Sequence, residues 1–234
     1  MKPRAVFNWS GGKDSALALY KVLKEQKYDV VALLTTVDRD THHSTVHSIP
    51  PFLLQQQADS IGIPLYTIDI PEQWNKSDYY NAMGEAVSHF KSLGVSHFIF
   101  GDIFVHDVKS YREKQLKPYG ITVVEPLWDK TTDEVMTEFL ESGLKTIVVT
   151  TMADALDSSF VGRQIDRGFV EDLPAGMDIC GENGEYHTFC YDGDIFQYPV
   201  SYSLGRPKKK SHLLKLADGN AKEFTYWFAD INAI

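Results

Sequence analysis

Two short stretches of this 234-residue chain carry groups that can handle phosphate and protons. The first is Ser10-Gly11-Gly12-Lys13-Asp14-Ser15. Gly11 and Gly12 can take positive φ and let the main chain approach a ligand closely, so that consecutive N–H groups form an anion nest. Ser10 and Ser15 offer hydroxyl donors, and Lys13 offers a point charge. Asp14 would repel bare phosphate, so its expected work is to hold Mg2+ or to cap a helix. The second stretch is Asp178-Ile179-Cys180-Gly181-Glu182-Asn183-Gly184-Glu185-Tyr186-His187-Thr188. Glu185 and His187 would share one face of an extended segment. With Glu182, such groups can bind a cation, or orient an amine and remove its proton. Carboxylates here could also hold ammonium by charge-assisted hydrogen bonds. A plain Gly-rich turn with solvent-facing acids has the same composition, and the spacing is not that of a zinc site.

The elements around the first stretch decide what it can do. Arg4–Trp9 reads as an apolar strand running straight into the Gly-rich loop. Ala16, Leu19, Tyr20 and Leu23 then fall on one helical stripe. A helix beginning at the loop adds unpaired N–H groups and the positive end of its dipole. Further strands are expected at Asp29–Val37, Leu65–Ile70, His97–Ile103 and Ile121–Trp128, near-continuously apolar as buried parallel strands are. Helices fit between them: Phe52–Ile61, stopped by Gly62, and a stripe of Tyr80, Met83, Val87 and Phe90 ended by Gly94. Five strands alternating with helices make a doubly wound parallel α/β domain over residues 1–125.

In such a sheet, ligands sit beyond the C-terminal strand ends at the switch point. Gly101 and Asp102, at the end of the fourth strand, then face the same crevice as the loop, and Asp102 joins Asp14 as a candidate Mg2+ ligand. Leu34–Val37, with Thr35 and Thr36, is the natural place for adenine. His47, in the following loop, could reach a phosphate or the acceptor. Residues 126–234 form a second, smaller α+β unit: Thr131-x-x-Glu134 is a capping box opening a helix that ends near Gly143, and Thr146–Met152 is a strand. Beyond them, Gly, Asp and aromatics suggest short strands and loops. The one basic run, Lys208–Lys210, reads as a solvated loop.

Composition narrows the classes. Hydrophobic residues at 43% and charged residues at 24% are globular values. A formal charge of −9 argues against an extended nucleic-acid surface. No apolar run is long enough for a membrane span and the N-terminus has no signal-type h-region, so a cytoplasmic protein is expected. Cys180 and Cys190 form no Cys-x-x-Cys pair and are expected as free thiols.

The loop is not the Gly-x-x-x-x-Gly-Lys-Ser/Thr motif of enzymes that cleave the γ-phosphate. It resembles the loop of the N-type ATP pyrophosphatases. More of the chain is similar to the diphthine–ammonia ligase family within that superfamily. The matching stretches are Ser10–Ser15, Val46-His47-Ser48-Ile49-Pro50, Gly101-Asp102-Ile103, Arg112, Glu125-Pro-Leu-Trp128 and Asp178-x-Cys-Gly-Glu-x-Gly-Glu-x-His-Thr188. The resemblance implies a Rossmann-like nucleotide domain, ATP and Mg2+ as cofactors, and release of pyrophosphate from ATP gripped by the loop. It implies adenylation of a carboxylate, diphthine on elongation factor 2, followed by displacement of AMP by ammonia. On that basis Lys13, Asp14, Asp102, Glu182, Glu185 and His187 are the catalytic candidates. Ser10, Gly11, Gly12, Lys13, Asp14, Ser15, Thr35, Thr36, His47, Gly101, Asp102 and Arg112 are the nucleotide-binding ones. Three alternatives stay open: the same adenylation on another carboxylate, ATP-dependent tRNA modification, and nucleotide sensing without turnover.

Overall fold

The computed structural model describes residues 1–38, 44, 49–70, 76–104, 106–215 and 221–234, with the backbone alone over 76–80, 212–215 and 221–222. In chain order the elements are β1 (Arg4–Asn8), α1 (Lys13–Glu25), β2 (Asp29–Asp38), α2 (Pro51–Ile61), β3 (Leu65–Ile70), α3 (Lys76–Ser92), β4 (Val95–Ile99), α4 (His106–Leu116) and β5 (Thr122–Val124). There follow α5 (Thr132–Glu141), β6 (Lys145–Met152), α6 (Arg167–Glu171), β7 (Tyr186–Asp192), β8 (Tyr202–Leu204), β9 (Lys208–Lys215), β10 (Ala221–Phe228) and β11 (Ile231–Ala233).

The first five strands are parallel, in the order β3-β2-β1-β4-β5. This is the expected doubly wound α/β architecture, and its direction of winding reverses between β1 and β4, beside the loop after β1. Two expected strands run long. The fourth ends at Ile99, before Gly101, and the fifth covers only Thr122–Val124, because Glu125–Trp128 turns away. The helix α4 has almost no apolar stripe: only Leu116 is buried. It carries no periodic signal and escapes sequence reading.

A separate antiparallel sheet, β7-β6-β10-β9, follows. The capping box holds: Thr131 Oγ1 accepts from Glu134 N, and the Glu134 carboxylate accepts from Thr131 N. Lys208–Lys210 is not a loop. It opens β9, paired with Tyr226–Phe228 of β10, since charged side chains on an edge strand leave its backbone free to pair on one side.

One apolar cluster spans both sheets, from Phe7, Leu17 and Leu53 to Val135, Phe139, Ile147 and Phe189. The strand β7 therefore packs directly on α1. A second cluster, with Val6, Leu34, Phe90 and Phe98, fills the other face of the parallel sheet.

Candidate active site

The loop after β1 is propped from beneath by the second sheet. Gly11 has φ +83°, and a Cβ there would lie 2.9 Å from both Gln57 Oε1 and Leu54 Cδ2. Its carbonyl accepts from Cys190 N at 2.8 Å and from Gln57 Nε2 at 3.0 Å. Gln57 also donates to the Cys190 carbonyl and accepts from Trp9 Nε1 at 2.9 Å, so a wholly buried amide has a partner at both ends. Sequence reading missed Gln57. The signal was a polar residue on the stripe Leu53, Leu54, Ala58, Ile61 of α2, all buried. Gly11 thus packs closely on Leu54 and Gln57 of α2 while its carbonyl is held by β7. Gly12 departs from expectation more directly. It is the N-cap of α1, with φ −94° and ψ −177°, an extended conformation open to any residue.

Lys13 is 2% exposed. Its Nζ donates to Asp14 at 2.7 and 2.9 Å and to the Cys180 carbonyl at 2.7 Å. Its N–H donates to Thr188 Oγ1 at 2.8 Å. That amide is already engaged, so the expected anion nest does not run unbroken through the loop. Burial would lower the Lys13 pKa, but Asp14 above all outweighs it, and the ammonium is held charged far above its usual range. Lys13 therefore pins the start of α1 to the loop Asp178–Glu185. Ser10 and Ser15 hydroxyls lie 3.0 Å apart, and Ser15 donates to the Gly12 carbonyl. Asp14, Ser15 and the first-turn amides of α1 remain at the cleft, where a helix start leaves N–H groups without helical partners.

The cleft has a volume of about 480 Å3 and opens above the C-terminal ends of β1, β2 and β4. Of the expected residues, Ser10, Lys13, Asp14, Ser15, Thr35, Thr36, Gly101, Asp102, Arg112, Glu182 and His187 line it. Gly11, Gly12 and Glu185 do not. His47 lies outside the described residues, as does the stretch Val46–Ser48. Tyr111 and Gln115 of α4 and Met83 and Gly84 of α3 complete the wall and were not foreseen. Gly101 is needed for contact: a Cβ there would stand 3.0 Å from Ser15 Cα, so only glycine lets β4 meet the start of α1.

Asp102 is ion-paired with Arg112, whose guanidinium stacks 4.0 Å above the Phe100 ring. Asp14 and Asp102 thus line one cleft, each beside a cation. Mg2+ typically takes one or two carboxylates together with phosphate oxygens and waters. The two aspartates supply that number, so the donor set fits the ion in company with a nucleotide. No group of three His, Cys, Asp or Glu able to hold a metal occurs among the described residues.

The second stretch forms a tight loop ahead of β7. Glu182 is half-buried, and burial, reinforced by Asp14, pushes its carboxyl up to about 7. His187 is pushed down to about 4 by burial and by the Lys13 charge, so it is neutral at physiological pH. Glu185 takes another course. Its carboxylate accepts from Asn183 N at 2.9 Å and Asn183 Nδ2 at 3.0 Å, and faces Asp178 N at 3.4 Å. It closes the loop on itself, and it does not line the cleft, whereas His187 does. Cys180 and Cys190 are free and buried. Burial pushes the Cys180 thiol up to about 12, which removes it as a nucleophile near neutrality.

This cleft joins a phosphate-type loop to a Glu/His loop from a second sheet, and comparison with known proteins finds the same pair of regions. The diphthamide synthase N-terminal domain model matches residues 2–123, and the diphthamide synthase C-terminal domain model matches residues 131–212. The chain belongs to the diphthamide synthase family. Its membership makes it an ATP-dependent ligase. Curated relatives of the family include the diphthine–ammonia ligase of Mus musculus, 24% identical over 219 residues, covering 82% of this chain and 79% of that one. The human protein of the same name is 22% identical over 213 residues, with the same coverage. In the diphthine–ammonia ligase of Schizosaccharomyces pombe, 24% identical, the match takes up 34% of a longer chain. Among solved structures, a predicted subunit of tRNA methyltransferase from Methanocaldococcus jannaschii aligns with TM-score 0.41 and 16% identity, over 62% of this chain and 80% of that one. So distant a likeness adds nothing to the assignment. No helix among the described residues is long and apolar enough to cross a membrane.

Proposed function

We propose that this diphthamide synthase family member adenylates a carboxylate with ATP and converts the adenylate to an amide with ammonia, the acceptor being diphthine on elongation factor 2. The observation that carries this is the cleft itself, a cavity of about 480 Å3 lined jointly by the start of α1 and by Glu182, Gly184 and His187 of the second stretch. Residues 1–125 hold the nucleotide, and residues 126–234 present the acceptor side.

The β and γ phosphates lie against Ser10, Ser15 and the first-turn amides of α1, where the helix dipole favours negative charge. Thr35 and Thr36, at the end of β2, flank the adenosine. A carboxylate oxygen attacks the α-phosphorus, and pyrophosphate leaves. When bound, Mg2+ at Asp14 and Asp102 neutralises charge on the leaving group. Arg112, on its Phe100 platform, faces the same developing charge. Ammonium must lose a proton before its nitrogen attacks the acyl carbon, and AMP then departs with one of the original carboxylate oxygens. Glu182, with its carboxyl near 7, takes that proton. His187, neutral at working pH, accepts a hydrogen bond from the incoming amine or orients the acceptor. Lys13 and Glu185 act through position: one fixes the loop to α1, the other fixes its turn.

The test is product analysis with Mg·ATP, ammonium and elongation factor 2 carrying diphthine. AMP, pyrophosphate and the amide should appear in equal amounts, and only with the acceptor present. Formation of ADP would sink the proposal, as would AMP production indifferent to the acceptor.

A further inference from the structure

The proposed acceptor is a side chain of another protein, and the second sheet offers a place for that protein to dock. In the order β7-β6-β10-β9, β9 is an outer strand whose pairing partner among the described residues is β10. One edge of β9 therefore keeps its backbone donors and acceptors turned away from the sheet. Arg206 and Lys208–Ser211, which lead into and open this strand, are exposed. Lys208 is tied to Asp230 at 2.9 Å. Lys209 instead lies over the Trp227 ring at 5.2 Å on one face of the sheet, and Lys210 over the Phe228 ring at 5.7 Å on the other, each held out by its stem on a partly exposed aromatic side chain.

The register puts this patch near the cleft. Lys210 pairs with Tyr226, and Tyr226 pairs with Met152 at the end of β6. Met152 N donates to the Glu185 carbonyl, and its Cε lies 3.9 Å from where a Gly184 Cβ would be. Gly184 lines the cleft. Lys210 is thus three strand spacings, roughly 14 Å, from β7, the strand that the Glu182 loop leads into.

We infer that the exposed edge of β9 is the docking site for an extended, acidic segment of the acceptor protein, added as a further antiparallel or parallel strand with carboxylates on successive residues, one meeting Lys209 on one face of the sheet and the next meeting Lys210 on the other. A free edge gives main-chain hydrogen bonds, and the lysines select for charge, as in other strand-addition interfaces. The patch is locally cationic in a chain of net charge −9, so it stands out against its own protein's field. That same net charge disfavours a long polyanion such as RNA. The inference rests on the proposed protein acceptor, but its test needs no turnover.

The full chain would be titrated with a fluorescent Glu–Val octapeptide whose glutamates come in adjacent pairs (Val-Glu-Glu-Val-Val-Glu-Glu-Val), so that each pair reaches both faces of the sheet, a control with Lys in place of Glu, and labelled poly(U), at low and at raised salt. The Glu–Val peptide should bind and the control should not. The double variant K209E/K210E should weaken peptide binding by about tenfold or more, and raised salt should weaken wild-type binding. ATP affinity should stay within about twofold, since neither residue lines the cleft. Unchanged peptide binding in the variant overturns the inference, and so does tighter binding of poly(U) than of the peptide. Failure of ATP cleavage with intact peptide binding would strike the catalytic proposal and leave the docking edge standing.

Discussion

Replacing Lys13 by Met tests the joint on which the cleft is built. The side chain is 2% exposed and its Nζ holds three contacts, two to Asp14 and one to the Cys180 carbonyl. Methionine keeps most of the volume, so little cavity forms. The cost comes from polar groups. The Cys180 carbonyl loses a charged donor, which leaves a buried acceptor unsatisfied at about 1–3 kcal/mol. Asp14 loses its cation, which for a fully buried pair costs about 3–5 kcal/mol. Asp14 is 28% exposed, however, and water can replace part of that interaction. Removing the desolvated ammonium also returns some free energy. The net loss should be about 2–4 kcal/mol, equivalent to roughly 4–16 °C in Tm for a chain of this size. The variant should also move a titration. The Lys13 charge lowers the carboxyl of Glu182 against burial and Asp14, so without it Glu182 must rise further above 7. The acid limb of the amidation rate should then shift to higher pH. Urea unfolding at pH 8 and a pH–rate profile read the two effects separately. A loss under about 0.5 kcal/mol with the limb unmoved would refute the placement of Lys13 as a buried tie.

Three further outcomes follow from the same geometry. Glu182→Gln should leave exchange of labelled pyrophosphate into ATP within about threefold of wild type while amide formation falls by about 10²-fold or more; in the parent, the amide rate should decline as pH drops below about 7, because the carboxylate that accepts the proton becomes protonated. Gly101→Ala should raise the KM for ATP several-fold, because a Cβ 3.0 Å from Ser15 Cα forces backbone against backbone where the phosphates bind; an unchanged KM would contradict that packing. Glu185→Ala should reduce stability by about 1–3 kcal/mol by stripping the Asn183 amides of their acceptor, and should depress adenylate and amide formation together; loss of amide formation alone would return Glu185 to a direct chemical role.

The phosphate-type loop was legible because all its signals are local: strand, two glycines, helix stripe. Gly62 and Gly94 were legible for the same reason, since helix ends need positive φ, and both have it. What Lys13 does was not legible. Its partner, the Cys180 carbonyl, is 167 residues away, and no spacing rule reports a main-chain oxygen delivered by another sheet. Gln57 was hidden likewise, because its three hydrogen bonds converge only when α2, the loop and β7 meet. The chain is extended from Glu185 into β7, as its spacing from His187 implies, but Gly181 and Gly184, with φ +75° and +84°, fold the residues before it so that Asn183 meets the Glu185 carboxylate, a contact no spacing rule reports. The helix α4 went unseen for a compositional reason: ion pairs and rings hold it in place. Lys109 lies 3.2 Å from the Glu125 carboxylate and 3.9 Å above the Trp128 ring, contacts that leave no apolar period in the sequence. The run Lys208–Lys210 reads as a loop by its charge alone, whereas its strand character comes from the β-forming partners Tyr226, Trp227 and Phe228 of β10.

The route of one oxygen atom tests the central claim most directly. The acceptor carboxylate would be labelled with 18O and incubated with the enzyme, Mg·ATP and ammonium. Attack of that carboxylate on the α-phosphorus must leave one labelled oxygen in AMP, seen by mass spectrometry as a single 18O per AMP released. Unlabelled AMP, or label carried into inorganic phosphate beside ADP, would contradict adenylation in this cleft.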